Sequence, residues 1–255
     1  MQTITITIKD VTIGEGVPKI IVPLMGTTEE ELLKEVETVN ALQPDIIEWR
    51  VDVYEQVESL EAVSDMISKL RSAVPNTLLL FTFRSHKEGG NKEISDDYYF
   101  QLLHAAIGTK NIDLVDVELF YEESSVKETV KVAEENGVYV VMCNHDFDKT
   151  PAKEEIIYRL RKMQELGAHI PKIAVMPQTV GDLLILLDAT YTMKTKYADR
   201  PFITMSMSGT GLVSRLSGAV FGSACTFGAG KEASAPGQIP VTQLRDVLEI
   251  IDKNI

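Results

Sequence analysis

Cysteine is nearly absent. Cys143 and Cys225 are the only two in 255 residues, which excludes a disulfide scaffold. No apolar run approaches the ~18 residues of a membrane span. No linker rich in serine, proline or glycine divides the chain, and no charge run exceeds a few residues. Basic residues are scarce: 25 Lys and Arg stand against 38 Asp and Glu, a formal net charge of −13. That deficit argues against nucleic acid or an anionic membrane as partners. An anionic small molecule would need arginines concentrated at one place. The opening MQTITITIKD alternates and carries charge, unlike a signal peptide. A cytoplasmic protein with two reduced thiols is therefore expected. Also missing are a G-x-S-x-G elbow, a Walker loop, H-E-x-x-H and paired C-x-x-C motifs.

What is present is ordinary globular material, 44% hydrophobic, arranged in a repeating rhythm. Residues 3–14 read as a small hairpin, two alternating runs around Lys9-Asp10. Short β-branched runs follow at 19–25, 45–52, 77–83, 113–119, 137–144, 172–177, 202–208 and 223–227. Several are continuously apolar, as parallel strands buried on both faces should be. Helical patterns lie between them. One spans 27–42, with Thr27 or Thr28 as cap; others cover 179–199 and 241–254. The pattern at 151–167 places Pro151 in the first turn and stops at Gly167. Strands alternating with helices in one undivided chain of about 250 residues favour a single (β/α)₈ TIM barrel over residues 1–255 with an N-terminal β-hairpin. A doubly wound sheet is the alternative. In such barrels chemistry sits at the C-terminal ends of the strands.

The polar residues at those ends are informative. Glu48, Arg50 and Asp52 share one face if 45–52 is extended throughout. The competing reading is a structural ion-pair stack on the outer face. Arg84 ends its strand as an anion ligand would, before a pliable loop holding Glu88, Gly89 and Gly90. His145 stands where a general acid/base belongs, flanked by Asn144 and Asp146. Cys143 lacks the surroundings of a nucleophilic cysteine. Lys172 shares a strand face with Ala174 and Met176. A buried lysine is costly, and desolvation favours its neutral, nucleophilic amine, suited to a Schiff base. The alternative is that Lys172 caps the bottom of its strand and points to solvent. Glycine-rich loops follow 202–208 and 223–227, the usual anion site of a barrel, with Arg215 on the next helix. The second loop has the make-up of a lid. Glu48, Asp52 and Glu118 are the carboxylates that would hold a metal, but no metal is expected.

Six motifs in order then carry a resemblance: EWRVD at 48–52, LFTFRS-x-x-EGG at 80–90, NHDF at 144–147, PKIAVMPQ at 171–178, TMSM at 204–207 and ASAPGQ at 233–238. The chain resembles the type I 3-dehydroquinate dehydratases of the shikimate pathway. The resemblance implies a metal-free and cofactor-free barrel, commonly a homodimer, that dehydrates 3-dehydroquinate through an imine. It implies Lys172 as the imine lysine, His145 as proton shuttle and Glu88 as the group that orients it. It implies that Glu48, Arg50, Arg84, Met205, Arg215, Ser234 and Gln238 hold substrate. Two positions depart from close relatives: Pro23 stands where a serine is common, and Gly209 replaces a larger polar residue. The competing functions are a class I Schiff-base aldolase and a catalytically dead barrel that senses a small acid.

Overall fold

The computed structural model describes residues 5–230, 235 and 237–255. Two short strands, β1 (Ile6–Ile8) and β2 (Val11–Ile13), pair antiparallel as the hairpin. Thr3 and Ile4 of the expected hairpin lie outside the described residues. Then β3 (Lys19–Leu24), α1 (Glu29–Ala41), β4 (Ile46–Arg50), α2 (Leu60–Ala73), β5 (Leu78–Thr82) and α3 (Asp96–Gly108) alternate. The alternation continues through β6 (Leu114–Glu118), α4 (Glu123–Glu135), β7 (Tyr139–Asp146), α5 (Lys153–Glu165), β8 (Ile170–Val175) and α6 (Val180–Thr192). It ends with β9 (Ile203–Ser206), the short helices α7 (Leu212–Leu216) and α8 (Gly218–Phe221), β10 (Cys225–Phe227) and α9 (Val241–Asp252).

Side chains set these boundaries. The Thr28 hydroxyl accepts from the Glu31 amide and so caps α1; Thr179 and Asp182 form a reciprocal capping box on α6. Gly167, at φ 92°, closes the turn after α5. Pro151 is not in the first turn: the helix cap is Ala152, and Pro151 lies just before it.

β3 to β10 form one parallel sheet in the order β10-β3-β4-β5-β6-β7-β8-β9. The sheet curls into a nearly closed TIM barrel, as expected, with helices between the strands. Its seam is narrow. A single parallel bridge joins Phe202 to Ser223, and the Ala224 amide donates to the Phe202 carbonyl at 2.8 Å. The Ser223 hydroxyl spans the same seam, accepting from the Thr204 amide at 3.0 Å.

Alternation along the strands separates two apolar clusters. Residues facing outward, such as Ile47, Trp49, Phe81, Val115 and Val140, pack under the helices. Those facing inward, including Ile21, Ile46, Leu78, Leu114, Val141 and Ile170, fill the lower barrel together with Ile8 and Ile13 of the hairpin. The hairpin is thus a plug for the N-terminal end. That leaves the upper interior to polar side chains. No helix among the described residues is long and apolar enough to cross a membrane.

The plug is fastened by Asp113. Its carboxylate binds Lys9 of the hairpin at 2.9 Å, Arg71 of α2, and the Leu79 amide at 2.8 Å. Asp113→Ala takes the carboxylate from Lys9, Arg71 and the Leu79 amide, while Arg71 keeps its bonds to the Asn111, Val74 and Thr77 carbonyls, so it should cost about 1–2 kcal/mol. A urea denaturation midpoint measures this, and a loss under about 0.5 kcal/mol contradicts the fastening role.

Candidate active site

Lys172 is 3% exposed and sits in the middle of β8, opposite Cys143 of β7 and Ile203 of β9. The strand starts at Ile170, so Pro171 lies inside it and Lys172 is not a bottom cap. Ala174, one step higher on the same face, leaves room for the long side chain to rise. The amine Nζ lies 4.7 Å from the centre of the Phe227 ring and 3.7 Å from Asp116 Oδ2.

One cavity at the C-terminal mouth is lined by Lys172, His145, Glu88, Glu48, Arg50, Arg84, Met205, Arg215 and Gln238, with Gly89, Phe147, Ala174, Met207, Phe227 and Ala235 completing the wall. All the expected site residues meet there except Ser234, which lies outside the described residues. Pro23 is buried in β3 opposite Glu48, and a Cβ at Gly209 would meet open space.

His145 and Glu88 are held together tightly. Glu88 ends a 3-10 turn, His86–Glu88, closed by Gly89 at φ 87°. The positive φ favours glycine, and a Cβ on Gly89 would also approach the Phe147 ring at 2.5 Å and force that ring to shift. Glu88 Oε2 accepts from the His145 backbone amide at 2.9 Å and meets His145 Nδ1 at 2.9 Å. Glu88 Oε1 accepts from Asn144 Nδ2 at 3.0 Å. The Phe147 ring stacks beside the imidazole at 6.4 Å between centroids. With Nδ1 engaged, Nε2 is the nitrogen left for the cavity. Burial, then the neighbouring Glu118, pushes the Glu88 carboxyl up to about 8. Burial, then the cations Arg84, Lys172 and Arg50, drives the His145 imidazolium to release its proton well below the ordinary value.

The flanking polar residues divide their work. Asn144 is the support for Glu88, and is itself bound by Arg159 at 2.8 Å. Asp146 turns the chain, accepting from the Asp148 and Lys149 amides. Asp52 does not extend the face of Glu48 and Arg50. β4 stops at Arg50 and a 3-10 turn, Val51–Val53, follows. Asp52 instead clamps Arg50 through Nε and Nη2 at 2.7 and 2.9 Å, and caps the amides of Arg84 and Asn91.

Arg84 is the hub. Its Nη2 binds Asp116 Oδ1 at 2.9 Å, and its Nη1 binds Glu118 at 2.7 Å and Cys143 Sγ at 3.1 Å. Glu48 accepts from the Thr82 hydroxyl at 2.9 Å. Glu48, Asp52 and Glu118 are taken up in hydrogen bonds to Thr82, Arg50 and Arg84 and are not grouped closely enough to share an ion. Among the described residues, Glu88, Cys143 and His145 are the group close enough to share an ion. Burial keeps the Cys143 thiol protonated, and it donates to Asp116 at 3.1 Å, so the group lacks the thiolate that would make it a strong ligand set. Arg215, on α7, is 2% exposed with Nη1 at 3.6 Å from Met205 Sδ. Burial lowers its guanidinium to about 10, which leaves it cationic at neutral pH.

Sequence reasoning missed Asp116. The signal was available, since Leu114, Asp116 and Glu118 share the inner face of a buried strand, and a mid-strand carboxylate demands a partner.

The chain is 69% identical over 251 residues to 3-dehydroquinate dehydratase of Bacillus velezensis, covering 98% of this chain and 99% of that protein. It is 67% identical to 3-dehydroquinate dehydratase of Bacillus subtilis, with 98% of each covered. Its structure is similar to a crystal structure of type I 3-dehydroquinate dehydratase from Clostridium difficile with covalent modified comenic acid. The TM-score is 0.97 at 51% identity, over 100% of both chains. A likeness to 3-hexulose-6-phosphate synthase, at 18% identity and a TM-score of 0.61, extends to the fold alone. The family model of type I 3-dehydroquinase matches residues 20–255, and the chain belongs to that family.

Proposed function

We propose that this protein dehydrates 3-dehydroquinate to 3-dehydroshikimate through a Schiff base on Lys172, with His145 as general acid and base. The observation that carries the reading is a buried lysine beneath a cavity that also presents a carboxylate-oriented imidazole. The ketone at C3 condenses with the amine. The resulting iminium is an electron sink that stabilises carbanion character at C2. His145 Nε2 removes the C2 proton, and the C1 hydroxyl leaves as water with the proton that the imidazole returns. Glu88 fixes the tautomer, as a carboxylate does behind a catalytic histidine. Arg215 pairs with the substrate carboxylate. Glu48 and Arg50, held in place by Thr82 and Asp52, bind hydroxyl groups. Arg84, Met205, Ser234 and Gln238 complete the enclosure.

The wider setting belongs to the same proposal: a cytoplasmic homodimer serving the shikimate pathway to aromatic amino acids, with no metal or diffusible cofactor. Sedimentation tests the dimer. For the reaction, 3-dehydroquinate is mixed with the protein and the conjugated enone of the product is followed by its absorbance. Failure to form the enone at high protein concentration contradicts the reading.

The His145–Glu88 pair predicts a pH profile. In its acid form the pair holds two protons, one between Oε2 and Nδ1 and one on Nε2. Loss of the second frees the Nε2 lone pair. Because burial raises Glu88 to about 8, kcat/KM should climb as pH rises toward that value. Glu88→Gln keeps a polar partner at Nδ1 but no titrating carboxyl. Its imidazole then titrates at a value lowered by burial and by the surrounding cations. The acid limb should move to lower pH, and an unmoved limb contradicts the assignment.

A further inference from the structure

Asp116 has one oxygen committed and one reserved. Oδ1 accepts from Arg84 Nη2 at 2.9 Å and from the Cys143 thiol at 3.1 Å. Oδ2 is buried with no hydrogen-bond partner among the described residues, and Lys172 Nζ lies 3.7 Å from it. That distance is an ion contact longer than a hydrogen bond. On another side Nζ meets the Phe227 ring at 4.7 Å. The amine is therefore held by one carboxylate oxygen and an aromatic ring. Burial works against the Asp116 carboxylate, but Arg84 and Lys172 outweigh it and keep the group ionised.

A buried oxygen without a hydrogen bond is costly. The cost is understandable if the oxygen acquires its bond during the reaction. We propose that Asp116 is the counter-ion of the Lys172 nitrogen at both stages, holding the ammonium in the empty protein and the iminium once the ketone has condensed. The proposal rests on the Schiff-base reading above.

The balance of the step supports the pairing. The ammonium and the ketone give the iminium and water. One ammonium proton passes first to Asp116 Oδ2 and frees the nitrogen lone pair for attack. A C–N double bond forms, the C–O bond breaks, and that proton and a second from nitrogen leave with the carbonyl oxygen as water. Nitrogen carries one positive charge before and after, so one fixed carboxylate serves both states and no proton is drawn from solvent. The single N–H of the iminium then has Oδ2 as its acceptor. Several other polar groups around this space already have partners of their own: Arg50 is clamped by Asp52 and Glu48 accepts from Thr82. Arg84 is bound by Glu118 as well as Asp116, and Glu88 is bound to His145, while Cys143 is a neutral thiol. Asp116 acts through Lys172 and is thus a positioning residue.

The test is Asp116→Asn, which preserves shape and removes charge. Folding is checked by thermal unfolding. The expected kcat falls about 10²-fold with little change in KM. Cyanoborohydride reduces an iminium but not a neutral imine. Trapping of the substrate adduct should be level with pH in the unaltered protein and should decline with rising pH in the variant, a change that a merely structural role would not produce. A variant with unaltered kcat and trapping profile overturns the counter-ion while leaving the Schiff base intact. If no adduct forms on Lys172 in the unaltered protein, both fall. A second measurement needs no variant. The unaltered protein is mixed with 3-dehydroshikimate in weakly buffered solution containing a pH indicator. No net proton uptake is expected as the adduct forms, and uptake of a proton for each adduct overturns the proposal.

Discussion

Lys172→Ala should abolish turnover, with kcat reduced on the order of 10⁵–10⁶-fold, the scale seen when a covalent nucleophile is removed. The reason is electronic. Without an amine the substrate keeps a neutral ketone at C3, and charge developing at C2 has no cationic sink. The remaining groups at the mouth, Arg50, Arg84 and Arg215, still bind an anion, so KM should change far less than kcat. The fold should survive, because Asp116 keeps its bonds to Arg84 and Cys143. Lys172→Arg should fail almost as completely, since a guanidinium stays protonated and does not attack a carbonyl. Steady-state kinetics measure this. A Lys172→Ala protein within about 10²-fold of the unaltered kcat contradicts covalent catalysis.

His145→Ala should lower kcat by about 10²–10⁴-fold, the range of a positioned proton shuttle. It differs from the lysine variant in where the reaction stops. Lys172 is intact, so the imine forms and accumulates, while the C2 proton has no acceptor. Glu88 stays placed by its bonds to the residue 145 backbone amide and to Asn144, so the loss belongs to the ring and not to the collapse of the loop. Single-turnover trapping distinguishes the two steps. Adduct formation at an ordinary rate together with stalled enone formation is expected. Near-native turnover would remove His145 from the mechanism.

Much of this site was legible in the sequence because burying charge is expensive. A lysine in an apolar parallel strand, an arginine at a strand end and a histidine at the next mouth all stand where an idle residue would be apolar. The barrel followed from the alternation of strands and helices. What alternation could not supply was termination and register. Asp52 was placed on the face of Arg50 because period-two alternation was carried two residues past the end of β4, into a 3-10 turn that points the carboxylate back at the guanidinium. Pro151 was placed in the first turn because proline favours that position, yet α5 starts two residues later. The pairing of Asp116 with Lys172 depends on the stagger of β6, β7 and β8, which is a property of the closed sheet and leaves no local trace. Arg84 shows the same limit. The sequence marks it as a cation awaiting an anion, and the fold supplies Asp116 and Glu118.

Borohydride reduction reports which lysine carries the substrate. The protein is incubated with 3-dehydroquinate, reduced, digested and mapped by mass. A single stable adduct on the peptide carrying Lys172 is expected. An adduct on any other lysine, or continued turnover with no adduct at all, would contradict a Schiff base on Lys172.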